Sequence, residues 1–351
     1  MTSKKKKIKI LHIDSGNEWR GGQRQVLTLH KGLIDNNIQS FLLCNKKGKL
    51  FEISKKQNIP NVFSFDYKGE LSISSHLSVY RIHKEIEPTI IHCHDAHTVS
   101  LSFFLRNVTK FHTRRVSYKI NFLSLFLKYR TIDFHIGVSI EIMNYLKQYF
   151  QNVTSIPSCI DLKRFSKISD INVFNEKKFN ILFVGAFSEQ KGINILIPAF
   201  KNVLKHKKNV HLNFVGDGDL SNWAKHQIRK LGIEKNTTFF GSRQNVEIFY
   251  QNSNLVVCPS VSGEGSSGVI KEALASGKTV IASDLECNKE ILDDYINGLL
   301  FKNQDVNELS EKIIQVIENK TQINAKMINH TAQKFKCENM IKSYIELYKK
   351  V

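Results

Sequence analysis

A short segment late in the chain combines two carboxylates with a run of small residues. Glu264 and Glu272 are eight positions apart, and Glu264 is followed by Gly265, Ser266, Ser267 and Gly268. The apolar run Leu255–Cys258 predicts a strand before this loop, and a helical pattern begins near Ser267 and stops at Gly277. Backbone N–H groups and the helix dipole attract anions at a helix N-terminus, so the loop predicts a seat for a diphosphate.

The two glutamates point to a ligand that also carries hydroxyl groups. Glu264 would repel a phosphate, so it suits the hydroxyls of a sugar on the far side of that phosphate. Glu272 lies a little over one turn into the helix, where its carboxylate could accept two hydrogen bonds from a vicinal diol such as a ribose. On spacing alone, an ordinary surface helix that carries a glutamate explains the pattern equally well.

In the N-terminal half, a pair of glycines follows the first apolar run. Gly21 and Gly22 lie in the sequence EWRGGQRQ at 18–25. Two glycines let the backbone come close to a ligand, because neither has a side chain. A plain turn between a strand and a helix is the alternative interpretation.

A histidine-rich segment, HCHDAH at 92–97, follows another apolar run. Alternating histidines suggest a metal site, but no further pair of ligands is evident in the sequence, so no metal is expected. His92 and His94 share one face of a strand; we expect His92 to be packed and His94 to reach the ligand. Asp95 and His97 are alternative contacts for an acceptor.

The segment FHTRRV at 111–116 is basic and is interpreted as following a strand. Arg114 and Arg115 suit a phosphate or a carboxylate, which a guanidinium can bind through two parallel hydrogen bonds. A solvated loop is an equally good explanation of these charges.

Short apolar runs alternate with helical patterns along the chain, which predicts parallel sheets covered by helices on both faces. The pattern restarts after a polar linker at 166–178. We therefore expect an α/β protein with two Rossmann-like, doubly wound domains facing a cleft, over residues 1–165 and 179–330. A last helix over 331–351 is expected to cross back to the N-terminal domain. Ligands of such sheets bind beyond the carboxyl ends of the strands.

Composition limits the class of protein further. The 351 residues are 41% apolar and 24% charged, which fits a folded globular protein and excludes disorder or collagen. No apolar stretch approaches the roughly 18 residues that cross a bilayer, and the start lacks a signal-peptide core, so a cytoplasmic location is expected. The six scattered cysteines predict buried thiols, not a zinc site. A net charge of +19 attracts anions but does not distinguish nucleotides, nucleic acid and an anionic membrane. The lysines at 4–7 predict a solvated N-terminal segment.

The stretch EGSSGVIKEALASGKTVIAS, with its Glu264 and Glu272, resembles the E-x7-E signature of retaining GT-B glycosyltransferases of family 4. The resemblance extends over nearly the whole chain, including the glycine loop around Gly22. Further segments resemble the family in the expected order: IPSCIDLKRF at 156–165, ILFVGAFSEQKG at 181–192, FVGDG at 214–218, FFG at 239–241 and VVCPS at 256–260.

The resemblance implies a role for each matching residue. Glu264 would contact the donor sugar, Glu272 would hold the ribose, and Lys191 would neutralise the leaving diphosphate. The N–H groups of Gly265–Val269 would bind the diphosphate and the sugar. We expect the catalytic residues to be Glu264, Lys191 and His94. The other expected donor contacts are Gly22, Gly185 and Arg243, and the expected acceptor contacts are Asp95, His97, Arg114 and Arg115.

The resemblance also implies a reaction. A sugar would move from a nucleoside diphosphate sugar to an acceptor hydroxyl, with retention and without a metal or another cofactor, in the synthesis of surface polysaccharide or lipopolysaccharide. Expected partners are the donor, a glycan or glycolipid acceptor and the anionic inner face of the cytoplasmic membrane, but no nucleic acid. One position departs from the family: many relatives have arginine where this chain has Ala186, which removes a cation expected near the diphosphate.

Two alternatives remain open. A sugar-nucleotide epimerase has the same fold but a different set of acid–base residues. A non-catalytic protein that binds nucleotides or nucleic acid is suggested by the charge alone. The basic residues are spread along the chain, and no motif that alternates aromatic and basic residues is evident.

Overall fold

The computed structural model describes residues 8–167, 170–321 and 323–351. The lysine run at 4–7 and residues 168–169 of the expected linker lie outside this described part. The described residues divide into two compact units, one from residues 8–159 with Cys337–Val351 and the other from the described part of Ile160–Lys336. The second unit is therefore an insertion in the first, and it includes residues 160–165, which the sequence analysis assigned to the N-terminal domain.

The first unit contains a seven-stranded parallel sheet. Its strands are β1 (Lys9–Asp14), β2 (Gln39–Asn45), β3 (Val62–Phe65), β4 (Ile90–Cys93), β5 (Thr109–Arg114), β6 (Phe134–Gly137) and β7 (Val153–Ser155). Their order is β3-β2-β1-β4-β5-β6-β7, so the sheet changes its direction of growth between β1 and β4. This switch point is where open α/β sheets bind ligands.

Helices cover the first sheet. They are α1 (Gly21–Asp35), α2 (Lys49–Lys56), α3 (Ile73–Ile86), α4 (Ala96–Leu101), α5 (Phe122–Leu127) and α6 (Ile140–Lys147). Alternate residues of β1 enter two different apolar clusters: Leu11 and Ile13 pack in one, and Ile10 packs in the other. Both faces of the sheet are therefore buried, as expected for strands that are nearly continuous apolar runs.

The second unit contains a six-stranded parallel sheet with its own switch point. Its strands are β8 (Phe179–Val184), β9 (Val210–Val215), β10 (Thr237–Phe239), β11 (Leu255–Cys258), β12 (Thr279–Ser283) and β13 (Leu299–Phe301). The order β10-β9-β8-β11-β12-β13 places the switch between β8 and β11. The helices are α7 (Leu162–Ser166), α8 (Ile193–His206), α9 (Ser221–Lys230), α10 (Glu247–Asn252), α11 (Gly268–Ala275), α12 (Glu286–Lys289), α13 (Val306–Ile317) and α14 (Ala325–Lys334). The predicted class, two doubly wound α/β domains, is confirmed for these two sheets.

The last helix, α15 (Cys337–Tyr348), belongs to the first unit and starts later than the expected residue 331. The chain leaves α14 and pairs with the start of the second unit, where the Ile160 N–H donates to the Phe335 carbonyl at 2.8 Å. Two buried tyrosines then fix α15 to the first sheet. The Tyr348 hydroxyl lies 2.6 Å from His92 Nδ1, and the Tyr344 hydroxyl lies 3.0 Å from Thr113 Oγ1.

The structure corrects the interpretation of the basic segment at 111–116. Most of it does not follow a strand but forms β5 itself, which ends at Arg114. The strand lies between β4 and β6, so its polar side chains are buried with the apolar ones. His112 packs edge-on against Tyr129, with ring centroids 5.1 Å apart.

The packing of the second unit at the start of α8 can be tested at a glycine. Gly192 has φ of +68°, and a Cβ added there would lie 1.8 Å from the Pro259 carbonyl oxygen. We expect Gly192→Ala to destabilise the second unit by about 3 kcal/mol or more, because the clash adds to the cost of a left-handed residue. Gly277→Ala is the matched control: it has the same φ but no atom within 4 Å of the added Cβ, so a loss of about 1 kcal/mol is expected. Equal losses in urea unfolding of the two variants would contradict the packing described here.

Candidate functional site

The switch point of the second sheet brings together two loops that the sequence keeps far apart. The loop after β8 ends at Gly192, and the loop after β11 starts at Pro259. The Val261 N–H donates to the Gln190 carbonyl at 2.8 Å, and the absence of a side chain at Gly192 lets the two backbones touch. This contact places Lys191 beside Glu264, although 73 positions separate them.

Lys191 and Glu264 form an ion pair at this edge of the sheet. The Lys191 Nζ donates to Glu264 Oε1, and the same oxygen accepts a 2.8 Å hydrogen bond from the Ser260 hydroxyl. The side chains are 24% and 10% exposed, respectively, so both remain reachable from solvent. Burial acts to lower the pKa of Lys191, but the carboxylate of Glu264 outweighs it, and the pKa rises above its usual value. Lys191 is therefore a fixed positive charge at neutral pH.

Helix α11 begins beside this pair and directs its N-terminus at the same edge. Ser267 caps it, because its hydroxyl accepts from the Ile270 N–H at 3.5 Å. The N–H groups of Gly268 and Val269 have no partner within the helix, since the first turn lies before the intrahelical ladder. The geometry is thus that of the predicted anion seat, but the binding of a diphosphate there stays a prediction.

Glu272 and Lys271 occupy the second turn of α11 and have different environments. Glu272 is partly exposed, and its Oε2 accepts a 2.7 Å hydrogen bond from the buried Tyr250 hydroxyl. Lys271 is fully buried, donates to the Ser266 hydroxyl at 2.5 Å and lies 4.4 Å from the centre of the Phe335 ring. Sequence reasoning did not find the contacts of Tyr250 and Lys271, because nothing local in the sequence signals them.

Three glycines stack at the carboxyl ends of neighbouring strands. Gly185 donates its N–H to the Val215 carbonyl, and Gly216 donates to the Gly241 carbonyl at 2.9 Å. A Cβ on Gly216 would lie 1.9 Å from the Gly185 carbonyl oxygen, so only glycine permits this close approach. Ala186, in the place of the family's arginine, is exposed, and Arg243 is exposed on the loop after β10. Lys191 is the only basic residue of the loop 185–192.

At the switch point of the first sheet, the structure joins three predicted residues. Arg115 donates to the His94 carbonyl at 3.2 Å and to His94 Nδ1 at 3.2 Å. The Arg115 Cδ lies 3.5 Å from where a Cβ on Gly22 would be, which is ordinary van der Waals contact, so Gly22 and the stem of Arg115 are neighbours. His94 Nε2 lies 2.9 Å from Nδ1 of His12, a residue that sequence reasoning missed.

These contacts fix the proton positions of the two histidines. A guanidinium only donates, so His94 Nδ1 accepts and the His94 proton is on Nε2. That proton is donated to His12 Nδ1, which leaves the His12 proton on Nε2, an atom without a hydrogen-bond partner among the described residues. Burial, the neighbouring histidines and Arg115 lower the pKa of His94 well below its usual range. His94 is thus neutral and both ring nitrogens are engaged; its predicted contact with a donor sugar stays a prediction.

The other residues predicted to contact an acceptor have different environments in the structure. Asp95 caps α4 by accepting from the His97 and Thr98 N–H groups, and it also binds the Ser15 N–H at 2.8 Å. The His97 ring is exposed and lies 3.5 Å from a Glu70 carboxylate oxygen. Arg114 is buried, donates to the Tyr118 carbonyl and faces the Tyr145 ring. Asp95 and Arg114 thus have structural partners within the first unit, and their acceptor contacts stay predictions.

Three histidines of the first unit have the spacing of a metal site. His12, His92 and His94 are buried, and each offers a nitrogen within 4.8 Å of the others. His92 Nδ1 and Nε2 lie 2.6 and 2.7 Å from the Tyr348 and Thr113 hydroxyls, and His94 is held by His12 and Arg115. Hydrogen bonds therefore account for the trio, and the expected absence of a metal stays a prediction.

Buried histidines make the first unit sensitive to acid. Burial lowers the pKa of each of six histidines in this unit, to about 4 for His30 and His135 and well below the usual range for His12, His92, His94 and His112. In the unfolded chain these histidines are protonated near pH 6.5, whereas in the folded unit they stay neutral at that pH. The free energy of unfolding therefore falls as the pH drops below 6.5. Asp14 opposes this, because burial and Asp95 raise its pKa to about 6, but it is one group against six.

We expect the thermal unfolding midpoint of the first unit to drop by at least about 5 °C between pH 7.5 and pH 5. His135→Phe should reduce that drop, because the ring stacks on Phe150 at 4.0 Å and phenylalanine keeps the stacking without the titrating group. A midpoint that stays constant over this pH range would be inconsistent with buried neutral histidines.

Comparisons with known proteins agree with this fold. Residues 19–164 match the family model Glycosyltransferase Family 4, and residues 164–334 match Glycosyl transferases group 1. The structure of Alr3699/HepE from Anabaena in complex with UDP has a TM-score of 0.84 at 19% identity, over 98% of this chain and 100% of that chain. That protein has also been solved with UDP-glucose. The lipopolysaccharide outer core galactosyltransferase WaaB gives a TM-score of 0.76 at 16% identity, over 98% of this chain and 100% of that chain.

The two Rossmann-like units define a protein of the GT-B fold. The two family models together cover residues 19–334, and the chain belongs to the GT-B glycosyltransferases of family 4 type. An uncharacterized glycosyltransferase of Methanocaldococcus jannaschii, MJ1178, is 32% identical over 199 residues, which is 55% of this chain. The match spans 53% of that relative, about half of its length.

Proposed function

We propose that this protein transfers a sugar from a nucleoside diphosphate sugar to an acceptor hydroxyl, with retention at the anomeric carbon. The observation that carries the proposal is the Lys191–Glu264 pair beside the N-terminus of α11, at the switch point of the second sheet. The cation suits the diphosphate of such a donor, and the carboxylate suits the hydroxyls of its sugar. The backbone N–H groups, which have no partner within the helix, suit the phosphate oxygens next to the sugar.

In the proposed mechanism, the donor replaces the internal partner of each charged group. Lys191 exchanges Glu264 for the β-phosphate, and Glu264 accepts from a sugar hydroxyl while Ser260 continues to hold it. The bond between the anomeric carbon and the β-phosphate oxygen breaks, and a bond to the acceptor oxygen forms. The acceptor proton passes to the leaving phosphate. Lys191 and the N–H groups of the α11 N-terminus stabilise the charge that develops on that phosphate.

The finer parts of the proposal rest on the named relatives. The UDP and UDP-glucose complexes of HepE support a uridine diphosphate sugar as donor, and the name of WaaB supports a role in lipopolysaccharide or surface polysaccharide synthesis. We propose a glycan or glycolipid acceptor, a cytoplasmic location and transfer without a metal. MJ1178 is named as a glycosyltransferase and WaaB as a galactosyltransferase, which favours transfer over epimerisation or nucleic-acid binding.

The test combines a panel of donors with a mixture of lipid-linked acceptors. The purified protein is incubated in a chelator with UDP-glucose, UDP-galactose, UDP-N-acetylglucosamine and GDP-mannose. Nucleoside diphosphate release, the mass of the acceptor, the NMR spectra of product and remaining donor, and donor binding by calorimetry are measured. Release that depends on the acceptor, together with an added sugar in the donor's anomeric configuration, is expected with at least one donor. Conversion of the donor to its epimer without transfer, or binding of none of the four donors, would contradict the proposal.

A further inference from the structure

The first unit carries a helix whose surface is unusually apolar. Helix α5 is six residues long, and only Leu125 is buried. Phe122, Leu123 and Leu127 are 70%, 65% and 67% exposed, and Phe126 is 43% exposed. Single exposed apolar side chains are ordinary, but four in one short helix form a patch that calls for a partner.

Two neighbouring segments extend this patch. On α3, Ile73, Leu77 and Tyr80 are 77%, 50% and 44% exposed, and their spacing of four and three residues puts them on one face of the helix. After α4, Phe103 and Phe104 are 44% and 64% exposed. The Phe104 ring lies 5.5 Å from the ring of His76 on α3, so these two segments are in contact.

One residue, Glu70, connects all three segments through its carboxylate and its backbone carbonyl. Glu70 Oε2 accepts from Lys128 Nζ, just after α5, and from the Ser100 hydroxyl on α4, both at 3.0 Å. The Glu70 carbonyl accepts from His76 Nε2 on α3 at 2.9 Å. The exposed apolar residues of α3, α5 and Phe103–Phe104 therefore belong to one connected region of the first unit.

The segment from α4 through α5 is one-sided in charge, and Glu70, the acidic residue that contacts it, is paired with Lys128. Between Asp95 and Asp133 the sequence contains seven lysines and arginines and no aspartate or glutamate. Among the seven, Arg106, Lys119 and Arg130 are exposed. Arg130 also lies 4.6 Å from the centre of the Phe126 ring, so a cation stands directly at the apolar patch.

We propose that α5, the exposed face of α3 and Phe103–Phe104 form a docking surface for an anionic lipid bilayer. Aromatic and leucine side chains enter the boundary between headgroups and acyl chains, while nearby lysines and arginines are attracted to anionic headgroups. A protein partner would bury the apolar residues equally well, but a 37-residue stretch without an acidic group matches a uniformly negative surface better. No helix among the described residues is long and apolar enough to cross a bilayer, so the contact is interfacial.

This inference goes beyond the proposed function. Its test is independent of sugar transfer, because lipid binding is measured without donor or acceptor. The protein is mixed with vesicles of phosphatidylcholine alone or with 30% phosphatidylglycerol, and the bound fraction is measured after sedimentation. We expect binding to the anionic vesicles that weakens as salt is added and little binding to the neutral ones. Phe122→Ser with Leu127→Ser should lower the affinity at least tenfold, and Lys119→Glu with Arg130→Glu should do the same.

Matched controls separate this surface from general hydrophobicity and charge. Ile171→Ser with Ile296→Ser removes two apolar side chains that are 58% and 46% exposed in the second unit, and Lys230→Glu with Lys235→Glu reverses two exposed charges there. Both controls should bind vesicles as the unaltered protein does. Equal loss in test and control variants, or equal binding to neutral and anionic vesicles, would overturn the proposal. So would a dimer in sedimentation analysis that Phe122→Ser with Leu127→Ser dissociates, since the surface would then bind a second copy.

Discussion

Replacing Lys191 by alanine is expected to reduce sugar transfer by about 100-fold or more, which corresponds to about 2.7 kcal/mol of transition-state stabilisation. The ammonium is the only cation of the loop after β8, and Ala186 offers no second one. The loss should fall mainly on kcat, because the negative charge on the leaving phosphate grows as the bond breaks. Transfer is measured by acceptor-dependent release of nucleoside diphosphate.

Two further variants make the Lys191 result interpretable. Lys205→Ala removes an exposed lysine of α8 in the same unit and should leave transfer unchanged. Lys191→Arg keeps the charge and should retain more activity than alanine. Because the pKa of Lys191 lies above its usual value, loss of its proton is expected to cause no decline in rate between pH 7 and 9. A purified Lys191→Ala protein with near-normal kcat and an unchanged unfolding midpoint would refute the assigned role.

Replacing Glu272 by alanine is expected to raise the KM for the donor at least tenfold and to change kcat less. Its carboxylate is proposed to hold the ribose, which is bound alike in the ground state and the transition state. Isothermal titration with the free nucleotide should show a matching loss of affinity. Tyr250→Phe removes the 2.7 Å hydrogen bond that orients the carboxylate, so a smaller rise of about two- to fivefold is expected.

Glu234→Ala is the matched control, because Glu234 is an exposed glutamate of the same unit. It should leave the donor KM and the nucleotide affinity unchanged. If Glu272→Ala bound nucleotide as well as the control does, the ribose would have to be held elsewhere.

Local pattern was enough to predict much of the fold. The continuous apolar run Leu255–Cys258 predicts a strand with the bounds that the structure has, and the alternation of such runs with helical patterns predicts the two parallel sheets. The same reasoning missed Thr109–Arg114, because Phe111 is the one apolar residue of that strand and threonine, lysine, histidine and arginine make up the rest. Such a strand resembles a solvated segment until the elements that bury its polar side chains are known.

The functional site, too, could be predicted from the sequence only in part. The capped helix after Ser267 could be predicted from neighbouring residues, and the structure places Ser267 at the cap of α11. The family resemblance gave Lys191 and Glu264 separate roles toward a donor, but their contact was not predicted, since backbone packing at Gly192 brings them together. The chain from Arg115 through His94 to His12 has no local signal, because it depends on the order of strands in the sheet. Asp95 shows the converse: its acceptor contact stays a prediction, and the structure adds a role that was not predicted, the cap of α4.

A crystal structure of the protein with an intact nucleoside diphosphate sugar tests the central claim most directly. The account predicts a phosphate oxygen about 3 Å from the Lys191 ammonium, a sugar hydroxyl at hydrogen-bonding distance from Glu264 and the ribose hydroxyls on Glu272. A donor bound away from the α11 N-terminus, with Lys191 still paired to Glu264, would contradict it.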